Sequence, residues 1–143
     1  MSASTTRGHG FDLTALPESV LAFLTVRHLS TLTTLNRDGS PHVVPVGFTF
    51  DVTTTTARVI TSGGSVKARN AGRVGARAAL CQVDGGRWLT LSGPIEVLTD
   101  ADAVATAERA YAQRYRVPKA NPSRVVLLMQ VEKMMGRVPD LPP

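Results

Sequence analysis

The stretch LTTLNRDGSPHVVPVGFTFD (residues 32–51) contains two strand-like runs on either side of a short polar turn. Asp38-Gly39 between alternating apolar runs is a strong signal for a β-hairpin. On the return run, alternation predicts a bulky, core-facing set made of His42, Val44, Val46, Phe48 and Phe50. The opposite face is small, and Pro45 and Gly47 on it predict an edge, a bulge or the close approach of another group.

The rest of the chain continues this pattern. Residues 29–36 and 41–51 form the hairpin, and apolar runs at 57–61, 76–84, 87–99 and 124–135 predict four more strands. Helical patterns occur at 16–28, 65–73 and 100–116, and Asp100 is a suitable N-cap for the last of these. Six strands in hairpin order with few helices predict a mainly β, α+β fold built around a small antiparallel barrel.

Length and composition favour one globular domain. The chain has 143 residues, 43% hydrophobic and 19% charged, which is the balance of a packed domain rather than of a disordered chain. We expect this domain to span residues 16–137, between a flexible N-terminal tail (1–15) and a short C-terminal tail (138–143). The first residues lack an apolar leader, no run is long enough to span a membrane, and the single Cys81 has no disulfide partner. These features predict a cytoplasmic protein.

The net charge of +5 predicts an anionic partner. Nucleic acid is not favoured, because the basic residues are scattered and do not alternate with aromatic ones.

The segment VITSGGSVKARN (residues 59–70) is the first candidate binding site. Two glycines between a strand and a short helix can direct backbone amides at an anion, and Ser62, Ser65 and Lys67 add two hydroxyls and a charge. The alternative is an ordinary strand-to-helix turn with Ser65 as N-cap. Spacing alone favours the turn, because the segment matches neither a Walker loop nor the dinucleotide fingerprint.

Three further features have two interpretations each. Trp88 lies on the polar face of its strand, which indicates an interface, a ligand contact or the end of the barrel. Gln82 interrupts an apolar strand and needs either a backbone partner or a ligand. The basic residues near the end of the long helix form either a solvated helix end or a clamp for carboxylates or phosphates; they are Arg109, Arg114, Arg116, Lys119 and Arg124.

The sequence contains no recognisable catalytic or metal-binding set. His9, His28 and His42 have no metal-ligand spacing, no acidic pair has a recognisable spacing, and Cys81 is best explained as a small hydrophobic residue. If the chain is an enzyme, a cofactor must carry the reaction.

Taken together, the segments LTTLNRDGSPHVVPVGFTFD, RVITSGGSVKARN, QVDGGRWLTLSG and RYRVPKANPSRVVLLMQV resemble the split β-barrel flavin- and deazaflavin-dependent oxidoreductases. These enzymes are relatives of pyridoxamine phosphate oxidase, and the greatest similarity is to the actinobacterial subgroup that uses coenzyme F-420, its biliverdin reductases in particular. The resemblance covers residues 18–135.

The resemblance implies a homodimer with a cofactor in each groove between the two barrels. Ser62, Gly63, Gly64, Ser65 and Lys67 would hold the phosphate side of the cofactor, with Asn70 close by. The strand His42, Val43, Val44, Pro45 and Val46 would lie along the deazaflavin ring, and Gln82, Arg87 and Trp88 would come from near the dimer interface. Arg114 and Arg116 would meet the polyglutamate tail of the cofactor or the carboxylates of a substrate.

The activity that the resemblance implies is transfer of a hydride from reduced coenzyme F-420 to a conjugated acceptor. The acceptor that it favours is biliverdin, which becomes bilirubin when a hydride adds to its central methine bridge and a proton to a pyrrole nitrogen. Two alternatives remain at this point. One is an FMN-dependent oxidase or reductase of the same fold, and the other is a non-catalytic protein that binds a deazaflavin or a tetrapyrrole.

Overall fold

The computed structural model describes residues 10–140, which form eight strands and three helices. In chain order these are α1 (Glu18–Phe23), β1 (Ser30–Leu35), β2 (Pro41–Val46), β3 (Phe48–Asp51), β4 (Thr56–Ser62), α2 (Val66–Ala71), β5 (Arg77–Asp84), β6 (Arg87–Leu98), α3 (Ala101–Arg114), β7 (Arg124–Gln130) and β8 (Lys133–Arg137). The predicted mainly β, antiparallel fold is confirmed.

The strands form one antiparallel sheet in the order β2-β1-β5-β6-β7-β4-β3, and β8 pairs with β6. β2 and β3 therefore lie at opposite ends of the order, although only Gly47 separates them in the chain. The sheet curls into a barrel that is open between these two strands, which is the split arrangement.

The structure corrects the predicted number of strands, which is eight rather than six in residues 10–140. The first extra strand arises because the run 41–51 changes partners at Gly47, where β2 on β1 gives way to β3 on β4. A Cβ at Gly47 would lie 3.0 Å from Cζ of Tyr115. Gly47 therefore marks the close approach of a ring.

The second extra strand arises because the run 124–135 also breaks. β7 pairs with β4 and with residues 95–98 of β6, whereas β8 pairs with residues 88–92 of β6. The chain crosses β6 at Gly93, where a Cβ would overlap the carbonyl oxygen of Gln130. The sequence predicts a bulge at Gly93 and Pro94, but β6 continues through these residues without a break. What changes there is its neighbour on one side, which is β8 before Gly93 and β7 after Pro94.

The core lies between the two halves of the sheet. Its largest fully enclosed side chains include Phe23, Phe48, Leu32, Leu80, Leu89, Leu91 and Met129. Of the predicted core face on residues 41–51, Val46 and Phe48 are buried, and the other three side chains are half-buried.

The helices begin where their caps predict. The Asp100 carboxylate accepts a hydrogen bond from the N–H of Ala103 at 3.1 Å, and the Ser65 hydroxyl accepts one from Ala68 at 3.3 Å. α1 is shorter than the predicted helix, because the helix ends at Phe23 with Leu24 as its C-cap.

Packing extends beyond the predicted domain limits of 16 and 137. The N–H of Phe11 donates to the carbonyl oxygen of Met134 at 2.8 Å, and the Ser19 hydroxyl donates to the carbonyl oxygen of Val138, whose side chain is buried. Residues 1–9, which include His9, and residues 141–143 lie outside the described part of the chain. No helix among the described residues is long and apolar enough to cross a membrane.

Candidate functional site

A cavity of about 330 Å³ opens between β2, β4, α2 and the segment that follows α3. We call it the basic cavity. It is lined by Pro45, Val46, Gly47, Ile60, Thr61, Lys67, Tyr111, Arg116, Pro118, Lys119 and Arg124. One wall is therefore apolar and partly aromatic, while four cations surround the other side.

The four cations differ in how far they are neutralised. Arg124 Nη1 lies 2.6 Å from Glu108 Oε2, and its Nη2 donates to the carbonyl oxygen of Lys119 at 2.7 Å. Within residues 10–140, Lys67, Arg116 and Lys119 make no ion pair with an acidic side chain. The cavity therefore carries uncompensated positive charge, which attracts an anion.

The glycine loop, residues 62–65, lies in the chain between Thr61 and Lys67, and both of these residues line the basic cavity. Part of its hydrogen-bonding capacity is already used, because the N–H of Gly63 donates to Ser123 O at 2.8 Å and the N–H of Ser65 donates to Ser62 O. Asn121 also donates to the Ser62 hydroxyl. These bonds attach the 118–123 segment to the loop. Of the candidate segment 59–70, Ile60, Thr61 and Lys67 line the cavity, whereas Ser62, Gly63, Gly64 and Ser65 are not among its lining residues.

Arg114 does not face a ligand site. Its side chain is only 9% exposed, and its three nitrogens donate to Val26 O at 2.9 Å, Phe48 O at 2.7 Å and Gln82 Oε1 at 2.6 Å. The guanidinium also lies over the ring of Phe48. The expectation that Arg114 contacts substrate or cofactor is therefore not supported, because each of its three nitrogens makes an internal hydrogen bond and the residue lines neither the basic cavity nor the cavity beside Tyr111 and Tyr115.

Gln82 and Asn70 are also structural. Gln82 is fully buried and its amide donates to Phe23 O at 2.8 Å, so its backbone interpretation is the correct one. The Asn70 amide donates to Thr34 Oγ1 and Asn36 Oδ1, both at 3.0 Å, which fastens α2 to the β1–β2 hairpin. Neither side chain is free to contact a cofactor as the resemblance implied.

The remaining expected site residues lie on two strands, β2 and β6. Pro45 and Val46 line the basic cavity, whereas His42, Val43 and Val44 precede them on β2. Arg87 and Trp88 begin β6, and the Arg87 guanidinium lies 4.8 Å from the ring centre of Phe23 on α1. The buried Arg87 Nε has no partner within residues 10–140. In one copy of the chain, these two residues do not line the basic cavity.

Two further cavities border this region. One of about 420 Å³ is lined by Arg27, His28, Leu29, Tyr111, Tyr115 and Arg116. A larger groove of about 720 Å³ lies along α3 on the other side of the 117–124 segment, where Glu108 neutralises Arg124. Among the described residues, no cluster of histidine, cysteine and acidic side chains is arranged to hold a metal ion.

Burial shifts the ionisation of the two residues that end α3. It lowers the pKa of Arg114, although the nearby Tyr115 acts in the opposite direction. Burial raises the pKa of Tyr115, whose hydroxyl donates to Phe48 O at 2.7 Å. At neutral pH, Arg114 is therefore an enclosed cation and Tyr115 a neutral donor.

Comparison with known proteins identifies the family. Residues 16–136 match the family described as pyridoxamine 5'-phosphate oxidase. The chain belongs to this family. It is also 59% identical, over 86% of its length and 89% of the relative's, to an F-420H(2)-dependent biliverdin reductase of Mycobacterium tuberculosis.

Solved structures agree with membership of the pyridoxamine 5'-phosphate oxidase family at the level of the fold. A conserved hypothetical protein of Mycobacterium tuberculosis superimposes with a TM-score of 0.72 at 20% identity, covering 90% of this chain and 92% of that one. A protein described as an F-420 reductase gives 0.67 at 23% identity, with coverage of 83% and 98%. At these identities the likeness concerns the fold alone.

Sequence reasoning missed several residues of the basic cavity. Tyr111 is a half-buried helical residue with no unusual neighbour in the sequence, and Thr61 lies within the candidate segment 59–70 but was given no role there. Lys119 and Arg124 were recognised as part of a basic cluster. A clamp by the whole cluster is not observed, because Arg114 turns inward and Arg124 pairs with Glu108.

We predict that Arg114→Lys destabilises the folded protein by about 3 kcal/mol, because an ammonium group cannot satisfy three acceptors that surround a planar guanidinium. Urea unfolding followed by circular dichroism measures this change. Arg116→Lys, at an exposed position two residues further on, is the control and should change the free energy of unfolding by less than about 0.5 kcal/mol. Equal stability of the two variants would contradict the structural role of Arg114.

Proposed function

We propose that the protein is a coenzyme F-420-dependent reductase that reduces biliverdin to bilirubin. The observation that carries the proposal is the 59% identity to an F-420H(2)-dependent biliverdin reductase over 86% of the chain. The basic cavity agrees with it, because such a cofactor carries anionic groups and a flat ring.

The residues of the basic cavity fit a ligand of this kind. The volume of about 330 Å³ lies within the range of small-molecule sites. Lys67, Arg116 and Lys119 provide cations without acidic partners, and Pro45, Val46 and Ile60 provide an apolar wall. An anionic head and a flat apolar body can therefore both find suitable contacts in the same cavity.

When bound, the reduced deazaflavin supplies a hydride to the acceptor. The protein's own contribution is to bind and orient. Lys67 and Arg116 would hold the anionic groups of the cofactor, and Pro45 and Val46 would offer its ring an apolar surface. No side chain in this scheme acts as a nucleophile.

A homodimer is part of the proposal. One face of strands β2, β1, β5 and β6, which we call the outer sheet face, carries uncharged side chains at most positions of the register: Thr31, Thr33, Leu35, Val43, Pro45, Ala79, Cys81, Val83, Trp88, Thr90 and Ser92. Arg77, at the start of β5, is on the same face and pairs with Glu132. Leu35, Val43 and Val83 on this face are more than half exposed in the single chain. A broad, mostly uncharged sheet face of this kind is suited to a second copy.

Lys67→Ala should weaken binding of coenzyme F-420 by about 1.5–3 kcal/mol, or roughly 10- to 150-fold in Kd, because a charge-assisted hydrogen bond is lost. Titration of the protein against cofactor fluorescence measures Kd. Arg69→Ala is the matched control, since it removes an exposed cation from the same helix outside the cavity.

Unchanged affinity for coenzyme F-420 in Lys67→Ala would remove this lysine from the site. The titration is then repeated with FMN on the unsubstituted protein. Tighter binding of FMN than of coenzyme F-420 to the unsubstituted protein would favour a flavin enzyme of the same fold.

Val83→Arg should weaken the dimer and shift it toward the monomer, because an unpaired charge would be enclosed between the two copies. We expect the dissociation constant of the dimer to rise by about one order of magnitude or more. Sedimentation velocity measures the change. Val52→Arg is the control, since both valines are 54% exposed and Val52 lies in the turn between β3 and β4. A monomeric unsubstituted protein, or identical behaviour of the two variants, would contradict the proposed interface.

A further inference from the structure

The cavity of about 420 Å³ beside the basic cavity has its own chemical character. We call it the tyrosine cavity. Tyr111 and Arg116 line both cavities, so the two lie side by side and share one wall. A ligand in the tyrosine cavity would therefore be the immediate neighbour of a ligand in the basic cavity.

The lining of the tyrosine cavity combines flat apolar surface with cations. The rings of Tyr111 and Tyr115 have centroids 4.8 Å apart with an interplanar angle of 37°, and Leu29 is 65% exposed beside them. Arg27 and Arg116 are exposed, and within residues 10–140 neither pairs with an acidic side chain. No acidic residue is among those that line the cavity.

The wall made by residues 27–29 is fixed by the buried network at the end of α3. Arg114 Nε donates to Val26 O at 2.9 Å, and the Tyr115 hydroxyl lies 3.4 Å from His28 O. Arg27 lies between Val26 and His28, and Arg116 directly follows Tyr115. The hydrogen bonds of Arg114 and Tyr115 therefore hold together the two backbone segments that carry Arg27 and Arg116. Such a site is preorganised rather than assembled by a ligand.

We propose that the tyrosine cavity is the acceptor site and that it takes a planar, conjugated molecule with carboxylate groups. Arg27 and Arg116 bind the carboxylates, for which the guanidinium fork is suited, and Tyr111, Tyr115 and Leu29 contact the flat conjugated body. This inference rests on the proposed function, because biliverdin is a molecule of this class. Arg27 thereby becomes a specificity-determining residue for the acceptor.

The test is a pair of measurements on Arg27→Ala. The first is the KM for biliverdin with saturating reduced coenzyme F-420, and the second is the Kd for biliverdin of the cofactor-free protein, followed by absorbance. We expect both to rise about tenfold, as for the loss of one charge-assisted hydrogen bond, while the Kd for coenzyme F-420 is unchanged. Biliverdin dimethyl ester, which lacks the carboxylates, should bind the unsubstituted protein and Arg27→Ala equally weakly.

Two further variants sharpen the comparison. Arg116→Ala should weaken binding of both biliverdin and coenzyme F-420, because Arg116 lines both cavities. Arg109→Ala removes an exposed cation from the groove along α3, which shares Pro118 and Arg124 with the basic cavity but no residue with the tyrosine cavity. Arg109 itself lines neither of those two cavities, so both affinities should be unchanged.

Three results would overturn the inference. Arg27→Ala with unchanged KM and Kd for biliverdin would exclude the tyrosine cavity as its carboxylate site. Loss of affinity for coenzyme F-420 instead would assign the cavity to the tail of the cofactor, and a loss in Arg109→Ala would assign the acceptor to the groove along α3. An unsubstituted protein that binds coenzyme F-420 but neither binds nor reduces biliverdin would contradict the proposed function itself, and the inference with it.

Discussion

The buried guanidinium of Arg114 is the interaction on which the arrangement around the site depends. It lies at the end of α3 and donates to the chain after α1, to β3 and to β5 through Val26 O, Phe48 O and Gln82 Oε1. Gln82 extends the network to Phe23 O in α1. A cation enclosed among neutral acceptors is costly to disturb, since the loss of any partner leaves a buried group unpaired. Four separate segments are thus held in one arrangement.

This network determines where the exposed charges lie. Because Arg114 is directed inward, the chain leaves α3 with Tyr115 against Gly47 and Arg116 at the wall shared by the two cavities. The arginines near the site consequently have two different roles. Arg114 and Arg124 have internal partners and support the fold, whereas Arg27 and Arg116 have no acidic partner among the described residues and are available to an anionic ligand.

Local sequence patterns were enough to predict most of the elements. The Asp38-Gly39 turn, the caps at Ser65 and Asp100 and the alternation along β1 depend on neighbours a few residues apart, and the structure has all of them. The two missed strand breaks depend instead on distant contacts, of Gly47 with Tyr115 and of Gly93 with Gln130. A glycine in a strand indicates that something approaches closely, but the sequence does not say what approaches.

The candidate site was predictable to a smaller extent for the same reason. Lys67 and Pro45 stood out in the local sequence, the family resemblance assigned both to the cofactor, and both line the basic cavity. Arg114 was misjudged because its partners lie 32 to 88 positions away, so the sequence around it does not distinguish it from the exposed Arg116. The tyrosine cavity was missed because α3 and the segment after α1 meet only in the folded chain.

The most direct test of the account is an anaerobic single-turnover experiment. Pre-reduced coenzyme F-420 bound to the protein is mixed with biliverdin, and the absorbance of oxidised cofactor, biliverdin and bilirubin is followed over time. The account predicts that one biliverdin is lost and one bilirubin formed for each cofactor oxidised, with no such reaction when reduced FMN replaces the deazaflavin. Binding of the cofactor and biliverdin without bilirubin formation would contradict it and identify the protein as a carrier.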